Sequence, residues 1–111
     1  MIIVNKISDN EVVLEFSENV SAEQAEEVFR NMLRSTFQKI VVDCSGLIHL
    51  GHQLLGRLYM FNMDLEVSRR KLILTGCSDK IRNLLHLTRV DQDIEIVKEP
   101  YEGLRGRSKA L

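Results

Sequence analysis

The sequence predicts an α/β domain with a mostly parallel central sheet of about five strands and about three helices, in the order β-β-α-β-α-β-α-β. The chain has 111 residues, of which 44% are hydrophobic and 28% are charged, and this is the composition of one globular domain. From Ile40 onward, short β-branched runs alternate with longer amphipathic patterns, which indicates parallel strands joined by helical crossovers. No linker or internal repeat divides the chain.

Charge and composition exclude several other classes of protein. The chain has 15 Lys and Arg residues against 16 Asp and Glu residues, so its net charge of -1 gives no indication of nucleic-acid binding. No apolar run approaches the roughly 18 residues that a membrane span needs, and the N-terminal segment lacks the pattern of an export signal. We therefore expect a cytoplasmic protein that neither binds nucleic acid nor inserts into a membrane.

The first half of the chain predicts a hairpin followed by a helix. Two short segments, Val4 to Ile7 and the largely apolar run at 12–16, flank the turn-forming residues 8–10, which is typical of two antiparallel strands. Ser21 followed by Gln24 forms the sequence of a capping box, so a helix is expected to begin there. One face of this helix repeats apolar residues at helical spacing, namely Ala25, Val28, Phe29, Met32 and Leu33.

The second half predicts three strands separated by two helices. The run 40–42 is apolar at every position, which favours a central strand covered by helices on both faces of the sheet. A long helix is expected from about His52 to Arg70, with residues 69–71 interacting with its dipole. A strand at 71–75, a helix capped by Ser78 and a strand at 94–97 follow. We expect the domain to span residues 1–99 and residues 100–111 to form a flexible tail, because this segment combines Pro100 with glycines and cations.

Sites in open α/β sheets lie beyond the carboxyl ends of the parallel strands. In this sequence those ends correspond to residues 43–53 and 76–79. Asp43 has no second carboxylate close in sequence, so we interpret it as a turn residue rather than a catalytic one. Cys44, His49, His52 and Cys77 have metal-binding side chains, but their spacing matches no strong zinc pattern. We predict two buried thiols, no metal and no cofactor.

Several segments together resemble the STAS domain, the family of sulphate transporters and anti-sigma factor antagonists. They are the run Ile40-Val41-Val42-Asp43-Cys44-Ser45-Gly46-Leu47, Gly56 with Leu58, the strand at 71–74 and the helix at 81–88. The resemblance extends from about Glu11 to Val97 and agrees with the predicted order of elements. It implies a non-enzymatic protein-protein interaction domain that docks onto an anti-sigma factor or a serine kinase in transcription regulation.

The resemblance breaks at the segment in which antagonists are phosphorylated. Family members carry an Asp-Ser-Ser-Gly type sequence at the start of the second helix, and Gly51-His52-Gln53-Leu54 occupies this place. The resemblance therefore implies a partner-binding surface of Gly51, His52, Gln53 and Gly56 that lacks the usual serine switch. Ser45 and Ser78, which lie on predicted loops, are candidates for an alternative phosphorylation site.

Two further interpretations remain open at the level of the sequence. The chain also resembles the small STAS subunits of bacterial lipid-transport ATPases, which implies association with a transporter complex as the alternative function. Met60 and Met63, close to Tyr59 on the long predicted helix, could form an adaptable docking surface because thioethers repack readily. We favour placing these methionines in the core.

Overall fold

A computed structural model of the protein describes residues 1–97, so the predicted domain end at residue 99 and the predicted tail at 100–111 lie outside the described residues. The strands are β1 (Ile2–Lys6), β2 (Glu11–Phe16), β3 (Lys39–Asp43), β4 (Lys71–Thr75) and β5 (Glu95–Val97). The helices are α1 (Ala22–Leu33), α2 (His52–Val67) and α3 (Asp79–Leu87), and a short 3₁₀ turn at Val90–Gln92 precedes β5. The predicted order β-β-α-β-α-β-α-β is confirmed.

The five strands form one sheet in the order β1-β2-β3-β4-β5. The hairpin strands β1 and β2 are antiparallel, with Val4 opposite Leu14, whereas the other three pairs are parallel. Val13, Val41 and Ile73 lie side by side across the three central strands. The predictions of a hairpin and of a mostly parallel sheet are therefore confirmed, and the structure places the hairpin at the edge of the sheet.

The helices pack on one face of the sheet, which corrects the prediction that helices cover both. The main core cluster joins apolar residues of all three helices to one face of the strands, including Leu14, Val42 and Leu74. The opposite face carries a separate cluster of Val13, Val41 and Ile73, to which no helix within residues 1–97 contributes. An all-apolar strand therefore indicated burial of both faces, but it did not indicate what buries each face.

Local hydrogen bonds define the starts of α1 and α3 as predicted. At α1 the Ser21 hydroxyl accepts from the Gln24 N–H at 3.1 Å, and the Gln24 side-chain oxygen accepts from the Ser21 N–H at 2.9 Å. At α3 the Ser78 hydroxyl accepts from the Ile81 N–H at 3.2 Å. These bonds satisfy backbone donors that would otherwise have no partner in the first helical turn.

The end of α2 differs from the prediction. The helix stops at Val67, and Arg69 adopts a left-handed conformation with φ of 59° that turns the chain toward β4. Arg70 does not serve the dipole of its own helix, because its guanidinium donates to the carbonyls of Met32 and Leu33 at the end of α1. Lys71 is likewise engaged elsewhere, in an ion pair with Glu95 across the sheet.

Gly76 is the residue after β4 at which the fold requires glycine. Its φ is +71°, and a Cβ placed there would lie 2.8 Å from the Asp43 carboxylate and 3.0 Å from the Ser45 Cβ. We expect Gly76→Ala to lower the free energy of unfolding by about 2 kcal/mol, because both the left-handed backbone and the contact oppose a side chain. Urea denaturation measures this difference, and an unchanged midpoint would contradict it.

Candidate protein-docking site

The carboxyl ends of the parallel strands β3 and β4 lie side by side at one end of the sheet. The sequence predicts the functional site at this end. The Cys44 N–H donates to the Thr75 carbonyl at 2.8 Å, which extends the pairing of these strands by one residue. The Asp43 carboxylate accepts from the Ser45 N–H at 3.0 Å. Asp43 therefore shapes the turn after β3, in agreement with the turn interpretation.

The loop from this turn to α2 is anchored by two leucines. The side chains of Leu47 and Leu50 are buried in the main core, and the Leu47 N–H donates to the Cys44 carbonyl at 2.9 Å. Ile48 and His49 between them are exposed. The alternation of anchored and exposed residues fixes the path of the loop while presenting part of it to solvent.

The first turn of α2 lies open at the end of this loop. Gly51 is the residue before the helix, and within the described part of the chain no side chain caps the backbone N–H groups of this turn. His52 and Gln53 are exposed, whereas Leu54 and Leu55 are buried. The predicted partner-binding residues thus lie together on the solvent side of the helix start.

The exposed face of α2 continues from His52 along the helix as an apolar surface. His52, Gly56, Tyr59, Met60 and Met63 recur at intervals of three and four residues, so they share one face of the helix. Met60 is 55% exposed and Met63 is 46% exposed. The favoured placement of these methionines in the core is therefore wrong. Their spacing from His52 is the sequence signal that could have identified them.

We call the exposed side of this helix and its preceding residue the α2 surface; its members are Gly51, His52, Gln53, Gly56, Tyr59, Met60 and Met63. An open groove of about 550 Å³ separates its beginning from the start of α1, where Val20 and Glu23 line the opposite wall. A second groove of about 330 Å³ lies along Gly56 and Met60. Beside it, the Arg57 guanidinium pairs with Glu26 of α1 at 3.4 Å, which places charged groups next to the apolar surface.

No packing contact within residues 1–97 explains why position 56 is a glycine. Within residues 1–97, a Cβ at this position would meet no heavy atom within 4 Å beyond its chain neighbours and the nearby backbone of its own helix. The position of Gly56 in the middle of α2 costs about 1 kcal/mol of helix stability relative to alanine. This loss of helix stability is therefore not explained by any steric need for glycine within the described structure.

The four residues considered for metal binding are not assembled into a site. Cys44 and Cys77 are free and buried, whereas His49 and His52 are exposed. Over residues 1–97, no three His, Cys, Asp or Glu side chains form a group suited to a metal ion. Cys44 and Cys77 instead influence each other: hydrogen bonding with Cys77 and burial raise the pKa of Cys44, whereas hydrogen bonding with Cys44 lowers the pKa of Cys77. The Cys44 thiol also donates to the Val42 carbonyl at 3.9 Å.

The two serines considered for phosphorylation are both exposed, but they differ in their bonding. Ser45 lies in the turn after β3, where its backbone N–H is held by Asp43. The Ser78 hydroxyl is engaged as the cap of α3. Ser45 and Ser78 lie in neighbouring loops at the same edge of the sheet as the start of α2, because β3 and β4 end there.

Comparisons with known proteins agree with this architecture. The family model described as Mlab, STAS domain matches residues 3–98, and no curated protein matches the chain significantly. A solved anti-sigma factor antagonist from Mycobacterium paratuberculosis is similar with a TM-score of 0.80 at 19% identity, over 96% of this chain and 92% of that one. An anti-sigma-factor antagonist (STAS) domain protein from Planctomyces limnophilus gives 0.75 at 17% identity, over 95% of each chain.

The Bacillus cell fate determinant SpoIIAA, solved in its phosphorylated form, is similar with a TM-score of 0.73 at 14% identity, over 97% of this chain and 99% of that one. Identities this low establish likeness of fold alone. In the described part of the chain, no helix is both long and apolar enough to cross a bilayer. With the family match covering nearly all of the sheet and helices described above, the chain belongs to the STAS-domain family.

Proposed function

We propose that this protein is a non-enzymatic docking domain that binds a regulatory protein, of the anti-sigma factor or serine kinase type, through the α2 surface. The observation that carries the proposal is the exposed glycine at position 56 within an apolar helix face. Glycine is used where another backbone must approach closely. The neighbouring thioethers of Met60 and Met63 supply apolar contacts that adapt to a partner's shape.

The absence of a hydroxyl at position 52 changes how this docking can be controlled. A phosphoserine at a helix start adds about -1.5 to -2 charges near the positive end of the helix dipole, which allows a kinase to switch binding. His52 occupies that place and offers no hydroxyl to a serine kinase. We infer that the α2 surface stays permanently ready to dock and that competition between partners replaces covalent control.

The proposal includes a non-enzymatic role and a cytoplasmic location. Asp43 is used by the turn after β3, and Asp79 pairs with Arg82 on α3. Neither carboxylate lies in an arrangement of nucleophile and base of the kind that acyl or phosphoryl transfer needs. If phosphate is found on the protein from its native cells, we expect it at Ser45 or Ser78, and such a result would show that the switch has moved.

Changing His52 to aspartate is expected to weaken partner binding about tenfold, because the added charge imitates part of a phosphoserine. The matched control is His52→Asn, which has nearly the same shape as aspartate and no charge; we expect its affinity to stay near that of the wild type. A negative charge in the first turn of a helix also interacts favourably with the helix dipole, so we expect the aspartate variant to stay folded.

The measurement begins with affinity capture from cells of the source organism, using the wild type and both variants as baits. Recovery of the partner is quantified by mass spectrometry, and the purified partner is then titrated against each bait. Equal affinity of the aspartate and asparagine variants would remove His52 from the docking surface.

A second function is favoured by the exposure of Tyr59, Met60 and Met63. Apolar surface that is never switched suits a stable complex, as expected of a small STAS subunit on a lipid-transport ATPase. The same capture experiment separates the two functions. Stoichiometric recovery of an ATPase transport subunit supports the complex, and recovery of an anti-sigma factor or serine kinase supports the regulatory role.

A further inference from the structure

Two buried thiols lie next to each other where β3 and β4 end. The strands are in register through Asp43 and Thr75, and the Cys44 N–H donates to the Thr75 carbonyl at 2.8 Å. One residue further, a Cβ on Gly76 would lie 3.1 Å from the backbone nitrogen of Ser45. The backbones that carry Cys44 and Cys77 are therefore in contact, and both side chains belong to the same core cluster.

From this geometry we propose that Cys44 and Cys77 form a peroxide-sensitive pair that closes a reversible disulfide. Each side chain is largely shielded from solvent, with Cys44 1% exposed and Cys77 7% exposed, so a small oxidant is required and Cys77 is the more accessible thiol. The proposal concerns the thiol pair alone and holds whether or not the α2 surface binds a partner.

The chemistry assigns different roles to the two thiols. Hydrogen bonding with Cys44 and the positive charge of Arg82 lower the pKa of Cys77, whereas hydrogen bonding with Cys77 and burial raise the pKa of Cys44, which therefore stays a protonated thiol. Since the thiolate is the nucleophile, Cys77 attacks first. Its sulfur takes one oxygen of hydrogen peroxide, the O–O bond breaks, and the departing hydroxide takes up the proton that Cys77 released on ionising, so that it leaves as water.

The second step closes the disulfide. The Cys44 sulfur attacks the sulfenic sulfur of Cys77, the S–O bond breaks, and the departing hydroxide takes up the thiol proton of Cys44. In total, two thiols and one hydrogen peroxide give one disulfide and two waters. The bond joins the residue directly after β3 to the loop before α3. It therefore restrains the 44–51 segment, which leads into α2.

The test uses the full chain, freed of reductant and titrated with hydrogen peroxide. We expect the intact mass to fall by two hydrogen atoms, a linked Cys44–Cys77 peptide to appear after digestion, and dithiothreitol to reverse both. Cys44→Ser should stop at a sulfenic acid on Cys77 that dimedone traps, whereas Cys77→Ser should react about tenfold more slowly.

The wild-type mass change needs no variant, so it decides the proposal even if a serine variant folds poorly. A wild type that keeps both thiols, oxidises only to sulfinic acid, or forms only disulfides between two copies would overturn the proposal. The oxidised monomer should also unfold several degrees higher than the reduced protein, because the bond constrains the unfolded chain.

Discussion

The Arg70→Met protein is expected to lose about 3 kcal/mol of unfolding free energy relative to the wild type. Arg70 is only 9% exposed and donates four hydrogen bonds to the segment that ends α1. Their acceptors are the carbonyls of Phe37, Leu33 and Met32 and the hydroxyl of Ser35, at distances from 2.6 to 3.2 Å. Methionine fills much of the same volume but leaves these acceptors without their charged donor.

Burial lowers the pKa of Arg70, but a guanidinium still stays charged at neutral pH. Its positive charge at the C-terminal end of α1 adds a favourable interaction with the helix dipole. Arg70→Lys should recover only part of the stability, because an ammonium group cannot reach the same fork of acceptors.

Chemical denaturation of the three proteins measures these differences, and Arg34→Ala is the matched control. The Arg34 side chain is exposed at the end of the same helix, so its removal should change stability by no more than about 0.5 kcal/mol. If Arg70→Met and Arg34→Ala were equally stable, Arg70 would not hold the end of α1.

Gly56→Ala is expected to change stability and binding in opposite directions. A methyl group at this exposed helix position should raise the free energy of unfolding by about 1 kcal/mol, because alanine favours helix and the group meets no neighbour in the described structure. On the proposed docking surface the same methyl prevents close approach, and we expect about tenfold weaker partner binding. Gly56→Gln should weaken partner binding further, because its side chain is larger.

The matched control for this change is Asn31→Ala, an exposed position on α1 outside the α2 surface. It should also stabilise the protein through helix propensity, but it should leave affinity unchanged. Titration calorimetry with the captured partner and urea denaturation give the two quantities for each variant. If Gly56→Ala stabilised the protein and bound its partner as tightly as the wild type does, the glycine would have no docking role.

Local chemistry explains what the sequence predicted well. The capping residues Ser21, Gln24 and Ser78 act within one helical turn, so their sequence pattern can be recognised without knowledge of the fold. The order of strands and helices follows from runs of β-branched residues and helical repeats, which are also local. The resemblance to the STAS domain added the position of the candidate surface, which composition and periodicity do not contain.

Contacts between distant segments account for what the sequence did not predict. Arg70 follows one helix in the sequence and caps another, and its partners lie more than thirty residues away. The number of helices on each face of the sheet likewise depends on how the crossovers are arranged. Met60 and Met63 have the hydrophobicity of core residues, so hydrophobicity alone favoured the core, and only their helical spacing from His52 indicated the exposed side of α2.

The most direct test of docking through α2 is site-specific photo-cross-linking in cells of the source organism. A photoreactive phenylalanine analogue replaces Met60 in one strain and Lys80, an exposed residue of α3, in the other. We predict that position 60 captures the regulatory protein recovered by the wild-type bait and that position 80 does not. Capture of that protein from position 80 with none from position 60 would contradict docking through the α2 surface.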